Sequence, residues 1–138
     1  PANYELFING SSFHTSNGTT FYQSAFISNI NENKHCSLLV TQGSSSVTKN
    51  FNILVNGTIE QSIPDNLEEG LNYNINDPTK ATLVLNEPLK DFVYVAGSFN
   101  DWNPGSDHAM KKDLNSNLFW LELTELIPGQ LETYQYGV

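Results

Sequence analysis

Trp102 is the residue whose type and setting most clearly predict chemistry in this sequence. An apolar run ends at Gly97, and an Asn-Pro-Gly turn at residues 103–105 follows the tryptophan, so we expect its indole on a loop. A large apolar ring on a loop is unfavourable unless it packs or binds something. Indole faces stack on the apolar faces of sugar rings, and the amide of nearby Asn100 can bond hydroxyl groups. The loop therefore predicts a site for a neutral, hydroxyl-rich ligand.

Trp120 is the second tryptophan, and the sequence leaves two roles open for it. Phe119, Leu121 and Leu123 alternate along one face of a predicted strand, which places Trp120 on the opposite face. On that face the ring either stacks on a ligand, as a second binding residue, or packs against the core or against a neighbouring domain.

Patterns typical of metal sites, catalytic nucleophiles or phosphate loops do not occur in the sequence. Glycosidases use a pair of carboxylates, and the closest candidates are acidic residues without the aromatic and hydrogen-bonding neighbours of a catalytic acid. Those candidates are Glu68, Glu69, Glu122 and Glu125. We therefore expect no catalytic residue, no metal ion and no cofactor in this chain.

The composition of this chain of 138 residues excludes some classes of binding partner. It has 15 acidic and six basic residues, a net charge of −9, and no basic stripe, so nucleic acid and anionic membranes are poor partners. No apolar run approaches the roughly 18 residues that span a bilayer. The single cysteine, Cys36, cannot form an internal disulfide and lies in an apolar run, which predicts a small core residue.

The elements that must position these residues are predicted to be β-strands. Asn, Ser, Thr and Gly crowd the segments between short apolar runs, and no window shows a helical period. The predicted strands lie at residues 4–8, 20–27, 36–41, 50–55, 58–63, 81–85, 92–98, 118–124 and 131–138, with a further one near 108–112. Asn56-Gly57 and Asn17-Gly18 are both typical of two-residue hairpin turns.

Domain organisation follows from a change of composition in the middle of the chain. Residues 64–78 carry prolines, acids and few apolar side chains, as a connector does. We predict an all-β fold of two tandem immunoglobulin-like β-sandwich domains, at residues 1–65 and 70–138, joined by a connector at 66–69. The role of the first domain is not predicted.

A resemblance to a known family rests on the second half of the chain. Residues 92–104 read Phe-Val-Tyr-Val-Ala-Gly-Ser-Phe-Asn-Asp-Trp-Asn-Pro, and other matching segments keep their order at 81–85, 87–88, 110–111, 119–123, 126–129 and 134–136. These segments resemble an early-set (E-set) β-sandwich, in particular carbohydrate-binding module family 48 of the glycogen-binding type. Such modules stand beside the catalytic barrel of bacterial α-amylase-family proteins, which form glycoside hydrolase family 13.

The resemblance implies a binding site for starch or glycogen, both α-glucans. Trp102 matches the tryptophan that stacks on glucose in the family, with Asn100 beside it. Gln135 stands where the family has a sugar-contacting lysine, and its amide can still bond hydroxyls. Trp120 is included as a second candidate carbohydrate-binding residue.

The resemblance also implies partners and a location. The module is expected to lack its last strand or strands, which leaves an edge that pairs either with a second copy as an edge-strand dimer or with the N-terminal half. A catalytic domain is expected downstream in the same chain, in a secreted or cell-surface bacterial protein whose signal peptide is not in this chain. The alternative is a purely structural spacer that braces the catalytic barrel without sugar affinity.

Overall fold

In the described residues, the regular structure consists of β-strands and two short 3-10 turns. The computed structural model describes residues 1–19, 24–55, 57 and 59–138, and within them there is no α-helix. This confirms the all-β prediction. The chain divides into two units, Pro1–Val55 and Asn56–Val138.

The first unit is a four-stranded antiparallel sheet. Its strands are β1 (Ala2–Ile8), β2 (Ser11–Gly18), β3 (Lys34–Gln42) and β4 (Ser45–Ile53), in the order β2-β1-β3-β4. Asn9 and Gly10 make the turn between β1 and β2 with φ angles of 49° and 80°, which these two residue types adopt with the least strain.

The two faces of this sheet differ in chemistry. On one face Tyr4 lies opposite Val40, and Leu6 opposite Leu38, so apolar side chains are adjacent across β1 and β3. On the other face, amides bond across the strands, as Asn17 Nδ2 does to Asn3 Oδ1 at 2.6 Å. The described part of this unit holds this one sheet, so the second layer predicted for a sandwich stays a prediction.

Cys36 is completely buried in the first unit, which confirms its prediction as a core residue. It pairs with Ile8 on one side and Phe51 on the other. Burial among these neighbours raises the pKa of the Cys36 thiol.

Local turn chemistry was misleading at several points of the first half. Asn17-Gly18, predicted as a turn, forms the end of β2, where Asn17 pairs with Asn3 and Gly18 with Ala2 of β1. Of the strand predicted at 20–27, residues 20–23 lie outside the described residues, and 24–27 have no regular structure. The turn predicted at Asn56-Gly57 falls partly on undescribed residues. The segment after it, Ile59–Glu60, does not pair with the strand before the turn but with residues 111–112 of the second unit.

The second unit has two sheets over one core. The larger sheet has the order β5-β9-β10-β7-β6 and the smaller is the pair β11-β8. The strands are β5 (Ile59–Glu60), β6 (Gly70–Tyr73), β7 (Ala81–Asn86), β8 (Tyr94–Gly97), β9 (Lys111–Lys112), β10 (Leu118–Leu123) and β11 (Tyr134–Gly137). Side chains of both sheets meet in one buried cluster, formed by Leu83, Val93, Val95, Met110, Phe119, Leu121 and Leu123. This is the layering of a β-sandwich.

The boundary between the units lies earlier than residue 65. Ile59 and Glu60 form β5, which runs parallel to β9 in the larger sheet, and Gln61 N donates to Lys112 O at 3.1 Å. β6 also falls within the acidic, proline-containing segment at 64–78, where it pairs with β7. Much of the expected connector is therefore part of the second unit.

Tyr136 should make the stability of the second unit fall at high pH. Its ring packs against the core and meets Tyr134 edge-on, with centroids 5.7 Å apart. Burial, reinforced by Tyr134, raises the pKa of Tyr136 to about 12. Because an unfolded tyrosine ionises near pH 10, the free energy of unfolding should be unaffected by this group below about pH 10 and decline from about 10 to 12. Denaturant unfolding across that range, compared with Tyr136→Phe, measures the effect, and an equally steep decline in the variant would contradict it.

Candidate functional site

The loop that carries Trp102 begins where β8 ends. Residues Ser98–Asn100 make one 3-10 turn, and Asp101 and Trp102 follow with φ angles of 52° and 58°. Trp102 N donates to Gly97 O at 2.9 Å, which closes the loop. A left-handed backbone is unfavourable for a bulky side chain, by on the order of 1 kcal/mol. Such strain is often found where a side chain must be held in one orientation for function.

The side chain of Asn100 holds this loop against β8 by making the two hydrogen bonds that a neighbouring strand would otherwise make. Its side-chain Oδ1 accepts from Gly97 N at 2.9 Å, and its Nδ2 donates to Val95 O at 3.0 Å. These are the backbone groups of β8 that point away from β11, and they would otherwise need a neighbouring strand. A primary amide reproduces the donor and acceptor of a peptide group, which explains asparagine at this position.

Replacing Asn100 with Asp should therefore destabilise the second unit. The carboxylate keeps an acceptor for Gly97 N but loses the donor to Val95 O, which leaves two oxygens facing each other in a half-buried place. We expect a loss of about 1–3 kcal/mol in the free energy of unfolding. Urea denaturation measures it, and Asn76→Asp, at an exposed position of the same unit, controls for the added negative charge. Equal stabilities of the Asn100 and Asn76 variants would contradict the role of Asn100 as a replacement for a neighbouring strand.

The indole of Trp102 is half exposed, at 49% of its maximum. The nearby aromatic rings pair with one another: the Tyr94 ring meets Phe92 at 6.3 Å between centroids, and the Phe99 ring stacks on His108 at 5.9 Å. Among the described residues no aromatic ring pairs with Trp102. The backbone is thus fixed while the ring offers an open apolar surface.

Gln135 and Asn100 lie on opposite edges of β8. Gln135 is exposed in β11 and stands opposite Ala96, whereas Asn100 bonds the other edge of β8. The structure thus places Asn100 and Trp102 together in one loop, with Gln135 on the neighbouring strand.

Trp120 is buried, at 4% exposure, so its ring is not available to stack on a sugar. Its Nε1 donates to Gln61 O at 3.0 Å, and the Lys111 ammonium lies 4.3 Å from the ring centroid. The sequence left two roles open for Trp120, ligand binding and packing. The structure shows it packed within the second unit, so we leave it out of the site.

A cleft of about 450 Å³ near the base of the loop was not anticipated. Phe99 and His108 contribute to its lining, and burial lowers the pKa of the His108 imidazole despite nearby Asp107. Across the cleft, Gln130 Nε2 donates to Glu132 Oε1 at 2.8 Å. No sequence signal could reveal this cleft, because its walls come from separate segments, at 98–99, 107–108 and 122–132, which only the fold brings together.

The described residues contain no cluster of three or more histidine, cysteine or acidic side chains that could hold a metal ion. In the same part of the chain, no helix has the length and apolar character needed to cross a membrane. No protein-family model matches the chain, and no curated protein matches it either.

Proposed function

We propose that this chain is a non-catalytic, N-terminal part of an α-amylase-like protein of glycoside hydrolase family 13. In this proposal its second unit is an E-set module of the family 48 carbohydrate-binding type. The unit binds an α-glucan, starch or glycogen, through Trp102. The parent protein is secreted or attached to the surface of a bacterium, with its catalytic domain following in the same chain.

The observation that carries the proposal is the indole of Trp102, half exposed on a loop whose backbone is fixed by hydrogen bonds. A loop whose backbone is already ordered loses little conformational freedom when a ligand binds, so more of the contact energy appears as affinity. A buried or freely rotating tryptophan would support the proposal less.

Two amides supply the proposed polar contacts. Asn100 uses one hydrogen and one oxygen lone pair to hold the loop, and the amide retains one of each for a sugar hydroxyl. Gln135 is exposed on β11. Both are neutral, as is the glucan, so binding in this proposal changes little with salt concentration.

The competing proposal is a structural spacer, in which the exposed face of Trp102 packs against a neighbouring domain of the parent protein. The same half-exposed ring supports it, because a docking interface also needs an exposed aromatic anchor. It differs from the first proposal in giving the isolated chain no affinity for sugar.

Retention on immobilised polysaccharide separates the two proposals. The chain should be slowed in native gels that contain amylose or glycogen and should not be slowed by a β-linked glucan such as hydroxyethyl cellulose. Isothermal titration with maltoheptaose then gives the affinity. Absence of retention and of heat at millimolar sugar would leave the spacer as the function.

A further inference from the structure

The ring of His108 contacts both flanks of the loop that carries Trp102. On one side it stacks on Phe99, with ring centroids 5.9 Å apart and ring planes inclined by 28°. On the other side its Nδ1 accepts a hydrogen bond from Gly105 N at 3.2 Å, and His108 N donates back to Gly105 O at 3.1 Å. Phe99 stands three residues before Trp102, and Gly105 three residues after it. One imidazole thus joins the two ends of the segment that presents the indole.

The bond from Gly105 exists only while His108 is neutral. A neutral imidazole has one ring nitrogen with a lone pair, and here that nitrogen must be Nδ1 because it faces a donor. The hydrogen of the ring therefore lies on Nε2. When the ring binds a proton, both nitrogens carry hydrogen, so Nδ1 and Gly105 N become two donors that face each other. Protonation consequently breaks the hydrogen bond between His108 and the segment after Trp102.

Among the described residues, the charged groups that line the same cleft as His108 are all acidic. They are Asp107 on the same 3-10 turn, Glu122 on β10, and Glu125 and Glu132 between β10 and β11. Negative neighbours favour the protonated ring, but burial lowers the pKa of His108 and outweighs the effect of Asp107. Since an unshifted histidine titrates near pH 6.5, the ring is neutral at pH 7 and binds a proton below about pH 6.5.

We propose that His108 is a positioning residue for Trp102: its neutral imidazole holds the loop, and its protonation releases the loop and weakens glucan binding. This inference deepens the proposed function and rests on it, because it concerns the same ring. A left-handed backbone at a tryptophan is unfavourable, so it persists where surrounding bonds hold it. A proton from solvent on Nδ1 removes the bond at Gly105, and the loop then has to be ordered again whenever a sugar binds.

The first part of the test follows the loop in the full chain without sugar, from about pH 8 to about pH 5, where carboxylates remain mostly ionised. An NMR titration should give a His108 pKa below about 6.5, and the Gly105 amide signal and the tryptophan fluorescence should change with the same midpoint. His108→Asn keeps an acceptor, Oδ1, near the position of Nδ1 but does not titrate, so both signals should then be independent of pH. His14→Asn, at an exposed position of the first unit, is the matched control and should leave both transitions unchanged.

The second part measures the affinity for maltoheptaose by calorimetry at the two ends of this pH range. For the unaltered chain, the dissociation constant should rise about fivefold from the high to the low pH, which corresponds to one lost hydrogen bond. It should stay constant in His108→Asn. In His108→Ala, which has no acceptor at any pH, it should be raised at both ends. Thermal unfolding at the high pH verifies that each variant is folded.

Two results would overturn the proposal. The first is a Gly105 amide signal or a tryptophan fluorescence that does not follow the titration of His108. The second is a glucan affinity with the same pH dependence in the unaltered chain and in His108→Asn. Failure of the proposed function looks different, because the loop would still titrate with His108 while the unaltered chain binds no maltoheptaose at either pH. That result would overturn the effect on glucan and leave the effect on the loop.

Discussion

Replacing Trp102 with alanine is expected to abolish retention on amylose and glycogen while leaving the fold intact. A sugar ring stacked on the open half of the indole removes about 100 Å² of apolar surface from water, worth about 2.5 kcal/mol. Since each 1.4 kcal/mol is about tenfold in affinity, the dissociation constant should rise more than tenfold. Affinity gels and titration calorimetry measure the change.

Tyr73→Ala is the matched control for this experiment. Tyr73 is a more exposed ring, at 78%, on β6 rather than on the loop, and its loss should leave retention unchanged. The chain has two tryptophans, and Trp120 is buried, so a ligand-induced change in fluorescence should come from Trp102 and vanish in its variant. If retention persists in Trp102→Ala, the ligand binds elsewhere and the site assignment is wrong.

Gly97→Ala should cause a large loss of stability at the site. An added methyl group at this position would lie 2.6 Å from Phe99 Cε1 and 2.6 Å from Thr133 O. Thr133 O accepts the bond from Ser98 N, so relieving the clash separates the start of the β8–β11 ladder. Overpacking of this kind costs about 1–3 kcal/mol, which for a unit of this size lowers the melting temperature by roughly 10 °C.

Gly137→Ala tests whether this effect is specific to Gly97. Gly137 lies in the same two-stranded sheet, and a methyl group added there would have Tyr94 O as its nearest neighbour, at an ordinary 3.9 Å. Thermal unfolding followed by circular dichroism should show little change for Gly137→Ala and a clear decrease for Gly97→Ala. Equal melting temperatures for the two variants would contradict the steric argument.

The second half of the sequence was the more predictable, because its apolar runs are separated by clear turn residues. The strands predicted at 81–85 and 118–124 correspond to β7 and β10, whose apolar side chains fill the core. Gly97 followed by polar residues correctly marked the end of β8 and the start of the loop. In these places a local pattern was enough, since the residues that decide the structure are close in sequence.

Features that depend on distant partners could not be predicted. Ile59 and Glu60 are too short a run to indicate pairing with β9, and only that pairing carries Gln61 to the Trp120 indole. The sequence therefore left Trp120 open between ligand and core. Asn100 was identified for its hydroxyl-bonding amide, but its bonds to β8 depend on a loop conformation that composition does not specify.

The amide of Asn100 also has a consequence for aggregation. Strand addition on both sides of a sheet produces fibres that grow without limit. In the smaller sheet, one side of β8 is closed by this single side chain and by Met110 N, which donates to Val93 O at 2.8 Å. Asn100 thereby keeps this side of β8 from accepting a further strand. Removing its amide would leave Gly97 N and Val95 O free to pair with another chain, which should increase aggregation.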